Sequence, residues 1–258
     1  AVAPQLFAEV GDQPRGVAIE PNGDYAYVAN FGDDSVSVVD INTHAVTETV
    51  SVGDGPWGVA AIFDSSEERT KVYVTNYLDG TVTVIVHDGS EIDTRTISGV
   101  GTGPIGVAAT PDGRFVYVAN FTNGLVGTVA VIRTSDDTIS GRITVGRGPW
   151  GVAVGAKGAY VYVTNSDSLS NSVTLIRTSD NTVVGTHPVG SLPQGVAAPK
   201  NGDFAYVINQ EGTDPISKID SATSPATVTG IEQDADHPID GAFALGAFIG
   251  GTPPARPS

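Results

Sequence analysis

Cysteine and methionine are both absent from the 258 residues. Without cysteine there is no disulfide, no thiol nucleophile and no thiolate metal site. Lysine is scarce, at four, and 13 basic residues face 29 acidic ones, a formal net charge of −16. Nucleic-acid binding needs a cationic footprint that displaces counterions, so nucleic acid is a poor partner. Anionic membrane surfaces are disfavoured for the same reason. No apolar run approaches the roughly 20 residues that span a bilayer, so no membrane insertion is expected. No window keeps a helical period, because turn residues interrupt every candidate. The missing initiator methionine implies a processed or excised chain. Ala1-Val2-Ala3 is the small-residue pattern left near a signal cleavage site. An acidic, lysine-poor surface suits an extracellular or salty setting, or serves solubility through self-repulsion. A secreted or cell-surface location is the expectation.

What is abundant is repetition. Pro-x-Gly-Val-Ala occurs at Pro14-Arg15-Gly16-Val17-Ala18, Pro56-Trp57-Gly58-Val59-Ala60, Pro104-Ile105-Gly106-Val107-Ala108, Pro149-Trp150-Gly151-Val152-Ala153 and Pro193-Gln194-Gly195-Val196-Ala197. A damaged sixth copy reads Pro238-Ile239-Asp240-Gly241-Ala242, and the intervals are 42, 48, 45, 44 and 45 residues. A period of roughly 40–45 residues suits one four-stranded propeller blade. A second motif follows each whole copy: Tyr27-Val28-Ala29-Asn30, Tyr73-Val74-Thr75-Asn76, Tyr117-Val118-Ala119-Asn120, Tyr162-Val163-Thr164-Asn165 and Tyr206-Val207-Ile208-Asn209. The second repeat is longer because residues 64–69 extend a turn.

The first repeat shows the strands. Residues 16–19 are small and apolar, as an inner strand near a crowded axis must be. Asn22-Gly23 is a hairpin signal, and residues 25–29 are β-branched and aromatic. Residues 35–40 alternate with period two, which marks a strand with two different faces. Residues 45–52 supply a fourth strand. The paired motifs resemble the YVTN family of β-propeller repeats, found in surface-layer and other secreted proteins, over about residues 14–237. The resemblance implies four-stranded antiparallel blades with the first strand innermost. The family is functionally diverse, so its name transfers little chemistry.

The fold expected is all-β: a six-bladed β-propeller of four-stranded antiparallel blades, its last blade closed by N- and C-terminal segments. Residues 1–251 form the single propeller domain, with blade six shared between 1–13 and 238–251. Leu6-Phe7-Ala8-Glu9-Val10-Gly11-Asp12-Gln13-Pro14 resembles Thr49-Val50-Ser51-Val52-Gly53-Asp54-Gly55-Pro56, which places the N-terminal segment as an outer strand. Closure removes the open sheet edges that template aggregation. Residues 252–258 read as a Pro-rich tail or linker stub.

Catalytic signatures are few. There is no nucleophile elbow, phosphate loop or dinucleotide fingerprint. His44 and His87 fall in turns between outer strands and His187 lies on an outermost strand. His237 alone is expected near the axis, where Asp234, Asp236 and Asp240 flank it. Clustered carboxylates suit a hard cation such as Ca²⁺, or are simply a solvated acidic loop. No cofactor is expected, with Ca²⁺ as the open alternative. Thr134-Ser135-Asp136-Asp137 and Thr178-Ser179-Asp180-Asn181 recur at equivalent places, where Asp and Asn cap turns. The Asn ending Tyr-Val-x-Asn recurs in every blade and reads as a stabiliser of the following turn. Asn120-Phe121-Thr122 is a formal glycosylation sequon, but Asn120 reads first as such a turn residue.

Function usually breaks symmetry. The x of Pro-x-Gly lies where the chain reaches the innermost strand, at the mouth of the central channel. Its occupants are Arg15, Trp57, Ile105, Trp150, Gln194 and Ile239, and both tryptophans of the chain are among them. Indole offers a stacking face and one donor. These rings either bind a partner or seal the core. The loops after Asn vary most between blades, and variable loops on a rigid scaffold often carry binding. Three functions stay open. One is a non-catalytic propeller that binds a protein or glycan at the cell surface. Another is a metal-dependent hydrolase resembling six-bladed lactonases, using the Asn ring with Asp240. The third is a purely structural surface-layer module.

Overall fold

A computed structural model describes residues 8–199, 202–211, 215–223 and 226–231. These hold twenty strands in five antiparallel sheets of four, each sheet following chain order. Blade one is β1 (Pro14–Ile19), β2 (Tyr25–Asn30), β3 (Ser35–Asp40) and β4 (Ala45–Ser51). Blade two is β5 (Pro56–Asp64), β6 (Arg69–Asn76), β7 (Thr81–His87) and β8 (Ile92–Ile97). Blade three is β9 (Pro104–Ala109), β10 (Phe115–Asn120), β11 (Val126–Arg133) and β12 (Thr138–Arg147). Blade four is β13 (Pro149–Val154), β14 (Tyr160–Asn165), β15 (Ser172–Arg177) and β16 (Thr182–Pro188). Blade five is β17 (Ser191–Ala197), β18 (Phe204–Glu211), β19 (Ile216–Asp220) and β20 (Thr227–Ile231).

The inner strands pack in succession, β1 on β5, β5 on β9, β9 on β13 and β13 on β17. The core therefore lies between blades rather than within one. Val82, Val84 and Val86 of β7 pack with Val107, Val116 and Val118 of blade three, for example. This explains why middle strands such as β6 and β7 are apolar on both faces, while the outermost β4 and β8 are mostly exposed. A hairpin forms around Asn22-Gly23, but not the two-residue turn with both positions at positive φ that the pair suggests: residues 20–24 connect β1 to β2, Gly23 N donates to Glu20 O, and only Gly23 of the pair has positive φ (86°). The extra residues of the second repeat extend β5 to Asp64 and start β6 at Arg69, lengthening that hairpin.

Five blades, not six, are built from the described residues. The segments assigned to a sixth blade lie largely outside them. Residues 8–13, which are described, form no strand.

In blades one to four the tyrosine of Tyr-Val-x-Asn reaches forward into the next blade. Tyr27 Oη lies 2.6 Å from His87 Nδ1, Tyr73 donates to Asp137 Oδ1 at 2.7 Å, and Tyr117 donates to Asn181 Oδ1 at 2.7 Å. Tyr162 Oη meets Ser221 Oγ at 2.7 Å. Each partner sits at or beside the hairpin between the third and fourth strands of the following blade. Burial pushes the four hydroxyls up, Tyr117 to about 12, so they remain protonated. The turn caps form as expected, with Asp136 Oδ1 accepting from Thr138 N and Asp180 Oδ1 from Thr182 N.

His87 is not in a turn, as the sequence suggested. It closes β7 and is buried against Tyr27 and Tyr25. Burial holds its imidazole below the ordinary 6.5, against the opposing pull of Glu20. Nδ1 of the neutral ring and the Tyr27 hydroxyl share one hydrogen bond. A base whose pKa is depressed by folding binds fewer protons folded than unfolded. Its stabilisation is complete above about pH 6.5 and declines as pH falls from there toward the folded value. The melting midpoint is therefore expected to slope downward between pH 7 and 5.5, and His87→Gln should flatten that segment. The steeper loss below pH 4 belongs to carboxylates such as Asp64, held at about 2 chiefly by the Ser66 hydroxyl, and should persist. Circular-dichroism melts across this range decide it. An identical slope in wild type and variant would remove His87 as its source.

Candidate functional site at the channel mouth

The motif proline of each inner strand, its first residue in blades one to four, pairs with the Asn of the second strand: Pro14 faces Asn30, Pro56 faces Asn76, Pro104 faces Asn120, Pro149 faces Asn165 and Pro193 faces Asn209. The register then shifts before the Val three residues on, in all five blades. The x and Gly of Pro-x-Gly thus stand as two residues against one, a β-bulge, which bends the strand and re-aims a side chain. The repeat motif is a device for turning x toward the axis.

The glycine is required by the neighbouring blade. A Cβ on Gly16, Gly58, Gly106 or Gly151 would lie within 2.2–2.3 Å of the main-chain oxygen of the next blade's x, namely Trp57, Ile105, Trp150 and Gln194. In blades two and four the Thr of Tyr-Val-Thr-Asn ties this seam. Thr75 Oγ1 accepts from Gly58 N at 2.8 Å and donates to Ile105 O at 2.8 Å. Thr164 Oγ1 accepts from Gly151 N at 2.7 Å and donates to Gln194 O at 2.9 Å.

These strands enclose a channel of about 440 Å³, counting space open to solvent, lined by Gly and Val with Trp57, Ile105, Trp150 and Gln194. The sequence-predicted ring is therefore assembled in four of its members. Arg15 lies outside the lining and stacks instead on Trp57 (4.7 Å to the ring centroid) and Phe31 (5.1 Å). Its Nε is buried without a hydrogen-bond partner among the described residues. Ile239, Asp234, Asp236, Asp240 and His237 lie outside the described residues.

The two indoles, two blades apart, meet edge to face with centroids 5.7 Å apart. The intervening x is Ile105, which is buried (2% exposed). Three aromatics extend the cluster: Phe31 and Tyr77 against Trp57 at 5.5 and 5.6 Å, and Phe121 against Trp150 at 5.3 Å. Each is the residue after the Asn of Tyr-Val-x-Asn. Their recurrence at one offset was the signal that could have found them. Blade five is polar at the same two positions, and Gln194 Nε2 donates to Gln210 Oε1 at 3.0 Å. The mouth thus has an aromatic wall and an amide wall.

The nitrogens of the Asn side chains donate to neighbouring protein groups. Asn30 Nδ2 donates to the hydroxyls of Ser35 and Ser37, Asn76 to Thr81 and Thr83, Asn165 to Ser172 and Thr174, and Asn209 to Ser217. Asn120 donates to Val100 O and Thr128 Oγ1. These nitrogens brace the third strand, whereas the sequence suggests that they cap the turn. Glycines of the inter-blade linkers press on the amides: Gly53, Gly101 and Gly146 could not carry a Cβ without meeting Asn76, Asn120 and Asn165. Asn120 is 1% exposed, so its sequon is closed in the folded protein.

Radial four-stranded blades around a lined channel define a β-propeller. Within that class the chain belongs to the YNCE-like beta-propeller family, whose profile matches residues 3–238. A seven-bladed beta-propeller protein of Mycobacterium tuberculosis is 29% identical over 140 residues, 52% of this chain and 32% of that protein. A PE-PGRS family protein of the same organism is 47% identical over 49 residues, 19% of this chain and 10% of that protein. The matches thus span a third or less of these relatives. Among solved structures, Kuenenia stuttgartiensis hydrazine synthase superposes with a TM-score of 0.69 at 24% identity, covering 81% of this chain and 64% of that one. A putative 6-phosphogluconolactonase from Bacteroides uniformis gives 0.67 at 18% identity, covering 85% and 70%. These likenesses show the fold alone.

Proposed function

We propose that this is a non-catalytic β-propeller, secreted or displayed at the cell surface, that binds a protein or glycan partner through the channel-mouth face. The observation that carries the reading is the concentration of both tryptophans, three further aromatics and a stacked arginine at a ring where blades differ from each other. The acidic, lysine-poor composition supports the extracellular setting. On this reading the ring has six blades, and the face left by blade five is covered by a sixth. Exposed Tyr206 (39%) on β18 supports that, since in the four preceding blades this tyrosine is buried against the blade that follows.

The test is the double variant Trp57→Ala, Trp150→Ala. It should fold, by far-ultraviolet circular dichroism, and lose attachment to a glycan array or to cell-surface proteins by at least about tenfold, given the weight aromatic anchors carry in interfaces. Undiminished attachment by a folded variant rejects the mouth as the binding site.

A further inference from the structure

We infer that the mouth face docks a protein segment that is both apolar and basic, and that Leu78, Leu125 and Leu169 form the crest that grips it. The inference rests on the reading that this face is the binding face, and it names the partner's chemistry.

Leu78, Leu125 and Leu169 lie between the second and third strands of three consecutive blades. These connections are on the mouth side, because they bond to the linkers that lead into Pro-x-Gly. Tyr77 N donates to Gly55 O, Gly148 N to Leu125 O, and Ser166 N to Gly148 O. The leucines are 64%, 67% and 78% exposed, and Val126 beside Leu125 is 58% exposed. Their loops do not need them. Asp167 Oδ1 accepts from Leu169 N, and Thr122 Oγ1 donates to Leu125 O, so polar groups fix the turns. Single exposed apolar residues are ordinary, but a row of them beside an aromatic cluster marks a contact surface. Leu78 joins the cluster directly, since Gly55 lies against both Leu78 and Phe31.

The charge around the crest selects the partner. Asp34 Oδ1 accepts from Gly55 N, and Asp79 Oδ2 accepts from Asp54 N, so these carboxylates are fixed beside Leu78. The whole chain carries −16, so a second copy would bring repulsion to this face. A sugar stacks on ring planes and gains nothing from leucine side chains. A protein segment with leucine or phenylalanine flanked by Lys or Arg complements both features, with charge steering and apolar burial acting together.

The experiment is fluorescence anisotropy with labelled peptides of one length, crossing apolar or serine positions with lysine or glutamate positions. Only the apolar-basic peptide should bind, more weakly as salt is added. The triple variant Leu78→Ser, Leu125→Ser, Leu169→Ser should keep its melting midpoint and weaken binding at least tenfold, about the effect of exposing part of one buried leucine again. Equal binding of the apolar-acidic peptide, binding to no peptide, or concentration-dependent dimerisation abolished in the triple variant would each overturn the inference. Peptide binding lost in the tryptophan double variant but intact in the leucine variant would keep the face and reject the crest. Binding unchanged in both variants would reject both.

Discussion

Gly106→Ala should lower stability by about 3 kcal/mol, the upper end of the usual cost of overpacking, and the melting midpoint by about 6–12 °C for a domain of this size. The new methyl would sit 2.2 Å from Trp150 O, with Val152 N and Gly151 Cα behind it at 3.1 and 3.2 Å. All three obstacles are backbone, so no rotamer change relieves the collision. Either β9 or β13 must move, and each is held in its own sheet and against its neighbours. Gly58 and Gly151 face the same obstacle at the same 2.2 Å from Ile105 O and Gln194 O, and their alanine variants should behave alike. The control is Gly141→Ala in the outer strand β12. Nothing lies within 4 Å of its added methyl and its φ is not positive, so it should be neutral or slightly stabilising through the unfolded chain. Urea titration of the variants compares them on one scale. Equal stability of Gly106→Ala and wild type would mean that the inner strands are not in rigid register, and the tight seam would have to be abandoned.

The same seam shows what the sequence could convey. Pro-x-Gly-Val-Ala and Tyr-Val-x-Asn are legible because each packing problem recurs in every blade, so its solution is written five times. The position of Trp57 and Trp150 follows from that repeat. Their contact does not, because it joins side chains two blades apart. The tyrosine staples were equally hidden. Their partners lie 59 to 64 residues ahead and differ in type: His87, Asp137, Asn181 and Ser221. No local pattern announces a hydrogen bond across a blade boundary, which is why His87 read as a turn residue. The Asn ring was read as local turn chemistry for a similar reason, since the hydroxyls it braces lie on the next strand. The leucine crest escaped because leucine in a loop carries no periodic signal, and only exposure distinguishes Leu169 from buried Leu175.

Blade two departs from the repeat at one buried position, and the departure makes the strongest electrostatic prediction. Two residues before the motif tyrosine the other blades carry Tyr25, Phe115, Tyr160 and Phe204, whereas blade two carries Lys71. Lys71 is 2% exposed, with Nζ 3.1 Å from Asp64 Oδ2, 3.8 Å from Asp137 Oδ2 and 2.9 Å from Thr134 O. Asp137 also accepts from Tyr73 and pairs with Arg95 at 3.3 Å. At the equivalent turn of blade four stands Asn181, which accepts Tyr117 without any charge. Blade three and blade four thus show the uncharged solution to the same contact, an aromatic in place of Lys71 and an amide in place of Asp137. Breaking a buried pair by removing one partner leaves an uncompensated charge and costs about 3–5 kcal/mol, whereas replacing both by packed neutral groups is often neutral. Arg95 and Asp64 remain to share the stranded charge, so Lys71→Phe and Asp137→Asn should each cost less than that range, about 2–3 kcal/mol. Asparagine tolerates the positive φ of 54° at this turn, so Asp137→Asn tests the charge rather than the backbone. The double variant should lose less than the sum of the two single losses, by a coupling of about 2 kcal/mol, within the range for residues in contact. Denaturant unfolding of all four proteins closes the cycle. Additive losses would show that Lys71 and Asp137 act independently, and that the blade-four arrangement cannot be transplanted into this boundary.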